Sequence, residues 1–330
     1  MRILSVLGKN YGGKLGAIEP MYLEFTDPLM DLGHTVEHFD HNEARKQFGL
    51  DGCGDHFVKQ VKGGRYDLVL YATAGQDWMP PDAIREAGRS APIVAWNSDD
   101  DWQWEIYTKK LASYFTFVVT TYPHIYELNK NKYPNLRLSQ WACYDRYADF
   151  AHEKDLNFTF VGAIYTHRNS ECRFLRKHAG LRAFGVGSGL VKLDLPYFRG
   201  ASRISSFYGR AVNVQQLNDI WNRSKVSFTP MGASCNPNLW QIKGRVFQMG
   251  LSGTLMLCQP SPNLERYYEP GKEFVPFRTL EDCAEKAKYY LAHELERRRI
   301  ASAYYNRTKA EHLWQNRFVK LFSDIGLGAT

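Results

Sequence analysis

The chain has no pair of cysteines at CxxC spacing, no apolar run near the ~20 residues a bilayer span requires, and neither a GxGxxG nor a GK[ST] phosphate loop. Each absence removes a class. Cys53, Cys143, Cys172, Cys235, Cys258 and Cys283 stand singly, against a disulfide framework or a zinc site and for reduced, mostly buried thiols. Without a membrane-length run, and with Met1 to Gly8 too short for the apolar part of a secretion signal, a cytoplasmic protein is expected. The missing dinucleotide fingerprint disfavours an oxidoreductase, and the missing export signal disfavours a periplasmic-type binding protein. There is also no disordered or repetitive tract: 44% apolar and 23% charged residues are a globular balance.

What is present is 330 residues, enough for two cores, with a formal charge of +7 that suits anionic ligands from a nucleotide diphosphate to a nucleic acid. The cluster Arg297-Arg298-Arg299 reads as a solvated helix face or, less simply, a phosphate patch. Short β-rich runs recur with room for one helix between them, the signature of parallel sheets built from βαβ units. The first set is Ile3 to Leu7, Thr35 to Asp40, Asp67 to Ala72, Ile93 to Asn97, Phe117 to Thr121 and Leu138 to Ala142. The second is Phe158 to Val161, Leu181 to Val186, Lys225 to Thr229, Thr254 to Leu257 and Phe274 to Phe277. The charged, aperiodic stretch Asp145 to Asn157 predicts a linker, so domains over 1–150 and 151–310 are expected, with 311–330 a helix packing back on the first. Ala17 to Leu32 has helical spacing before Gly33. Thr279 can cap a helix whose Leu280, Cys283, Ala284, Ala287, Leu291 and Leu295 form one apolar stripe.

In open parallel sheets ligands sit beyond the carboxyl ends of the strands, so the loops that follow strands carry the candidates. The glycine-rich turn with Gly12, Gly13 and Lys14 after the first strand is either a ligand loop or a flexible turn. Trp96-Asn97-Ser98-Asp99-Asp100-Asp101-Trp102 is either a helix start capped by Ser98 or Asp99, or a site where Asp99 and Asp100 orient a hydroxyl while tryptophan faces stack on sugars. His124 is a further base candidate. Gly162 ends a strand ahead of His167 and Arg168; Arg168 either grips a diphosphate bidentately or is a surface arginine, and His167 reads as a structural or solvated histidine rather than a general base. Lys243 and Arg245 open a helix as a phosphate clamp, and Ser261 to Leu264 can present backbone N–H groups as an anion nest. No metal site is indicated.

The run KGRVFQMGLSGTLMLCQPSPNLERYYEPGKEFVPFRTLEDCAEKAKYYL, with FVGAIYTHR upstream, resembles the spore-maturation (CgeB-like) glycosyltransferases, relatives of the large family-4 group. The likeness covers residues 157 to 322, and more loosely the first half, through LEFTDPLMDLGHTVEHFD and WNSDDDW. It implies an α/β GT-B fold: two Rossmann-like doubly wound domains facing each other across a cleft, the C-terminal helix bracing the N-terminal domain. It further implies a nucleotide-sugar donor, with a UDP-sugar favoured, bound by Gly162, Tyr165, His167, Arg168, Lys243, Arg245, Gln248, Ser261, Pro262, Asn263, Leu264 and Glu265. No cofactor or metal is then needed, and transfer with retained configuration is favoured, the leaving diphosphate taking the acceptor's proton; inversion would call on Asp99, Asp100 or His124. Gln248 and Trp240 stand where family-4 enzymes usually carry glutamates; a neutral Gln248 still hydrogen-bonds a ribose hydroxyl. The acceptor is a hydroxyl of a glycan or surface polymer. The alternatives are a hydroxymethylated base in DNA, and a degenerate module that binds without turnover.

Overall fold

The computed structural model describes residues 1–10, 19–73, 79–164, 167–185, 213–233 and 238–328. The chain forms two compact units, one of Met1–Trp141 with Trp314–Thr330, the other of Ala142–Leu313.

The first unit runs β1 (Arg2–Val6), α1 (Pro20–Asp31), β2 (Thr35–Phe39), α2 (His41–Gly64), β3 (Leu68–Thr73), α3 (Pro81–Ala87) and β4 (Ile93–Asn97). It continues through α4 (Asp100–Gln103), a π-turn at Trp104–Thr108, α5 (Lys109–Leu111), β5 (Phe117–Thr120), α6 (Pro123–Asn129) and β6 (Leu136–Leu138). The strands pair in parallel in the order β2-β1-β3-β4-β5-β6. All six residues of β3 and all five of β4 are buried, as expected of central strands covered by helices on both faces.

The second unit runs β7 (Leu156–Val161), α7 (His167–Ala179), β8 (Arg182–Phe184), α8 (Val214–Arg223), β9 (Ser224–Thr229), α9 (Arg245–Gln248), β10 (Leu255–Cys258), β11 (Val275–Pro276), α10 (Leu280–Ala292) and α11 (Glu294–Glu311). Its sheet is parallel, in the order β11-β10-β9-β7-β8. The chain then returns to the first unit as α12 (Trp314–Asp324), which packs on α1. There Trp314, Phe318, Leu321 and Phe322 are buried, with Trp314 against Phe25 and Trp96 at ring-centroid distances of 4.9 and 5.4 Å.

Several expectations need correction. Trp96 is fully buried in that aromatic cluster and is no sugar platform; Trp102 is exposed. The sixth strand lies earlier than Leu138 to Ala142. At Gln140 the side chain takes over, donating to the Thr121 carbonyl and accepting from the Trp141 N–H, and Cys143 N–H donates to the His312 carbonyl. That pairing, with Asp149 N–H on the Asn222 side chain and the Asn222 amide on the Tyr147 carbonyl, places 142–150 in the second unit. Thr279 caps α10 through Asp282 N–H, and Cys283, Ala284 and Ala287 are buried, but Leu295 belongs to α11 and is 87% exposed because His293 breaks the periodicity between the helices. The described cysteines are free and buried; Cys235 lies outside the described residues. Among described residues no helix is long and apolar enough to cross a membrane, and no three His, Cys, Asp or Glu side chains gather as metal ligands.

Candidate functional site

The carboxyl ends of β7, β9 and β10 lie side by side in the second sheet, so the loops starting at Gly162, Pro230 and Gln259 share one edge. Gly162 has φ +146°, and a Cβ there would stand 2.7 Å from an Arg245 nitrogen. Backbone conformation and the closeness of Arg245 therefore both demand glycine. Gly162 N–H donates to the Phe184 carbonyl at 2.9 Å, and a Cβ on Gly185 would collide with the Gly162 carbonyl. The loop is pinned from both sides.

Three cations converge on this edge. Arg168, 3% exposed on the first turn of α7, donates from Nη2 to the Gly232 carbonyl at 2.9 Å and from Nη1 to the Ala163 carbonyl at 3.3 Å. Its fork is thus spent on loop carbonyls rather than left for a bidentate grip on a diphosphate, so it shapes the loops and adds charge. Lys243 donates to the Pro230 and Gly232 carbonyls. Arg245 lies over the Phe160 ring, 4.9 Å from its centroid, with Nη1 buried and without a hydrogen bond among the described residues. Burial, then the charges of Arg245 and Arg168, pulls the Lys243 ammonium down to about 6. Burial, then Arg168, lowers Arg245 to about 9. Glu171 stands near Arg168 and Lys243; burial raises its pKa, against the opposing pull of those two charges.

The remaining second-unit candidates are placed as follows. Ser261 and Leu264 are buried, whereas Pro262 and Glu265 are exposed. Asn263 adopts the left-handed conformation, φ 69°, and the Leu264 N–H donates to the Ser261 carbonyl, so one N–H of the expected nest is used within the turn. Gln248 ends α9 beside Gly244, its carbonyl accepting from the Cys143 thiol. His167 opens α7, and burial followed by the Arg168 and Lys243 charges lowers its pKa. Tyr165, Gly12, Gly13 and Lys14 lie outside the described residues.

In the first unit, adjacent β4 and β5 bring Asp99, Asp100 and Asp101 near Tyr122 and His124. Asp99 is the N-cap residue of α4 but makes no side-chain cap bond. Asp100 is fully buried, accepts from Thr108 Oγ1 at 2.5 Å, and is pushed up to about 6 by burial. Burial also lowers His124, at the start of α6, against the opposing pull of Asp101.

An acid with a raised folded-state pKa binds its proton more tightly in the native state, so its stabilising contribution is present at low pH and lost as pH rises through about 6. The Asp100→Asn substitution should therefore leave stability near wild type at about pH 4 and raise it by about 1–3 kcal/mol at about pH 8, measured by urea unfolding at both pH values. Equal effects at both would remove the buried-carboxylate account.

Sequence reasoning misses Glu171 and Phe160. Glu171 falls three residues after Arg168, the spacing of one helix face, which is a signal that could have found it. No sequence signal marks Phe160 as the surface beneath Arg245, because that contact joins β7 to α9 across 85 residues (245 − 160).

Residues 150–323 match the family described as glycosyl transferase-like. No curated protein matches the chain. Among solved structures, an alpha-glucosyltransferase in complex with UDP-glucose and DNA containing an abasic site is similar at TM-score 0.69 and 14% identity, over 99% of each chain. A glycosyltransferase from Rickettsia africae is similar at 0.64 and 12%, also over 99% of each. Anabaena HepE in complex with UDP gives 0.61 and 10%, over 98% of this chain and 100% of that one.

Proposed function

Because the chain belongs to the glycosyl transferase-like family and has the GT-B fold, we propose that this glycosyltransferase moves a sugar from a UDP-sugar to an acceptor hydroxyl, with its second unit holding the donor. Arg245 carries the reading. A guanidinium whose Nη1 is buried with no hydrogen-bonding partner among the described residues is costly until an anion meets it. Lys243 and the Arg168 charge lie at the same strand ends, and Gly162 lets the backbone come close. UDP and UDP-glucose are named in the complexes of similar structures. The finer placement among CgeB-like transferases rests on the sequence runs alone.

In the proposed reaction the bond between the sugar's anomeric carbon and the diphosphate breaks, and the acceptor oxygen bonds to that carbon. Lys243 and Arg245 stabilise the charge growing on the diphosphate. The acceptor's proton passes to the departing diphosphate oxygen, the route that retains configuration. Gln248 is assigned to a ribose hydroxyl and the Ser261 to Glu265 turn to the phosphate or sugar; Asp100, fully buried and bonded to Thr108, is not open to an acceptor.

The Lys243 pKa supplies a test. With its pKa about 6, the ligand-free lysine is mostly neutral at about pH 8, and a diphosphate beside it raises that value. UDP binding at about pH 8 should then take up close to one proton, and affinity should fall by up to ~tenfold per pH unit above about 6. Calorimetry in two buffers of different ionisation enthalpy measures the proton count. Binding without uptake would remove Lys243 from the diphosphate site, and no binding of UDP would remove the donor assignment.

A second reading keeps the donor and makes the acceptor a hydroxymethylated base in DNA. It is supported by the net charge of +7 and by the similar structure whose complex contains DNA. Sugar transfer from labelled UDP-glucose to hydroxymethylated duplex DNA, against a glycan acceptor, separates the two.

A further inference from the structure

The amino ends of the same second-unit strands hold another group of cations, which take no part in the proposed transfer. Lys154 precedes β7, Lys225 is the second residue of β9, and Gly253 precedes β10; with Arg297 and Arg298 near the start of α11 they line a cavity of about 590 Å³. Six residues of β7, at ~3.3 Å each, separate it from the Gly162 edge by roughly 20 Å. Its volume falls in the range of small-ligand sites.

The charge around this cavity is unbalanced. Four cations, Lys154, Lys225, Arg297 and Arg298, face two carboxylates, Glu153 and Glu294, with His152 at the wall. Glu294 is bound to Arg298 at 2.6 Å. Arg297 is only 3% exposed, its Nε is buried without a partner among the described residues, and its nearest carboxylate oxygen, on Glu294, is 3.7 Å away, too far for a hydrogen bond. A buried guanidinium left this way is expensive, and nearby Lys154 adds to the repulsion: burial, then the Arg297 charge, lowers it to about 8. Lys154 holds the Asn222 and Ser252 carbonyls, which fixes the cavity wall.

We propose that this cavity is a second anion site that takes a phosphate-bearing small molecule, with Arg297 at its base and Lys225 and Arg298 at its rim. A phosphomonoester carries nearly two charges and three acceptor oxygens, matching the excess of two cations and the planar donors of Arg297. The volume beyond a phosphate leaves room for a sugar-sized body along Phe150 and Ala301.

The test uses the full chain carrying Arg245→Ala, so that anions held at the donor edge do not contribute. Inorganic phosphate and ribose 5-phosphate are titrated by calorimetry. One equivalent of ribose 5-phosphate should still bind, more tightly than inorganic phosphate if the organic body is recognised and equally if free phosphate is the ligand. Adding Lys225→Glu and Arg298→Glu, rim changes that leave Arg297 and the strands in place, should weaken binding at least ~tenfold while the thermal transition stays cooperative. Arg297→Gln should abolish it. Failure of both probes to bind the Arg245→Ala protein, or unchanged affinity after the rim substitutions, overturns the proposal.

Discussion

Replacing Arg245 with alanine is expected to abolish the thermal stabilisation given by UDP and to lower the rate of sugar transfer by ~10²–10³-fold, the usual cost of removing one preorganised donor from a developing anion. The expectation follows from Arg245's surroundings. The guanidinium rests on Phe160, packs within van der Waals reach of the Gly162 backbone, and leaves Nη1 buried with no hydrogen bond among the described residues. Its charge is not spent on holding the fold, so the ligand-free variant should be about as stable as the wild type, or slightly more so, because a buried Nη1 without a hydrogen bond among the described residues has been removed. The pair of measurements is thermal unfolding with and without UDP, and initial transfer rates at saturating donor. A variant that loses stability but keeps its UDP shift would show Arg245 to be structural, and the donor assignment would then rest on Lys243 alone.

Replacing Trp314 with alanine is expected to cost about 3–5 kcal/mol of unfolding free energy, the range for emptying a large aromatic site in a packed core. Trp314 is fully buried and touches Phe25, Trp96, Phe318 and Trp141, with centroid distances from 4.9 to 6.3 Å. The surrounding rings cannot close over the vacated volume without leaving their present geometry. Urea unfolding followed by fluorescence gives the value, and Trp314→Phe should recover a large part of it. A loss below about 1 kcal/mol would mean that α12 is not part of the first unit's core.

Much of the fold is legible in the amino-acid order. The short β-rich run Ile93 to Asn97, the glycine stop at Gly33 and the Thr279 cap are local signals, and β4, α1 and α10 follow from them. Trp96 is harder, because next to three aspartates it has the look of a ligand platform. What buries it is Trp314, 218 residues further on (314 − 96). Leu295 continues the apolar stripe by spacing, but the chain changes direction at His293 and carries it to the surface. Arg168 and Arg245 are equivalent in the sequence as basic residues at the openings of helices. The fold distinguishes them by giving Arg168 the carbonyls of Ala163 and Gly232 and giving Arg245 a ring.

The number of strands and their places along the chain, the parallel α/β class and the family run in the second half follow from the amino-acid order, because periodicity, caps and glycine stops act over a few residues. Which cations are satisfied and which are poised for an anion is settled at a different level, by folding. Desolvation and the pairing of buried charge depend on neighbours brought together from distant β7, β9 and α9 on one sheet edge, and from β7, β9 and α11 on the other.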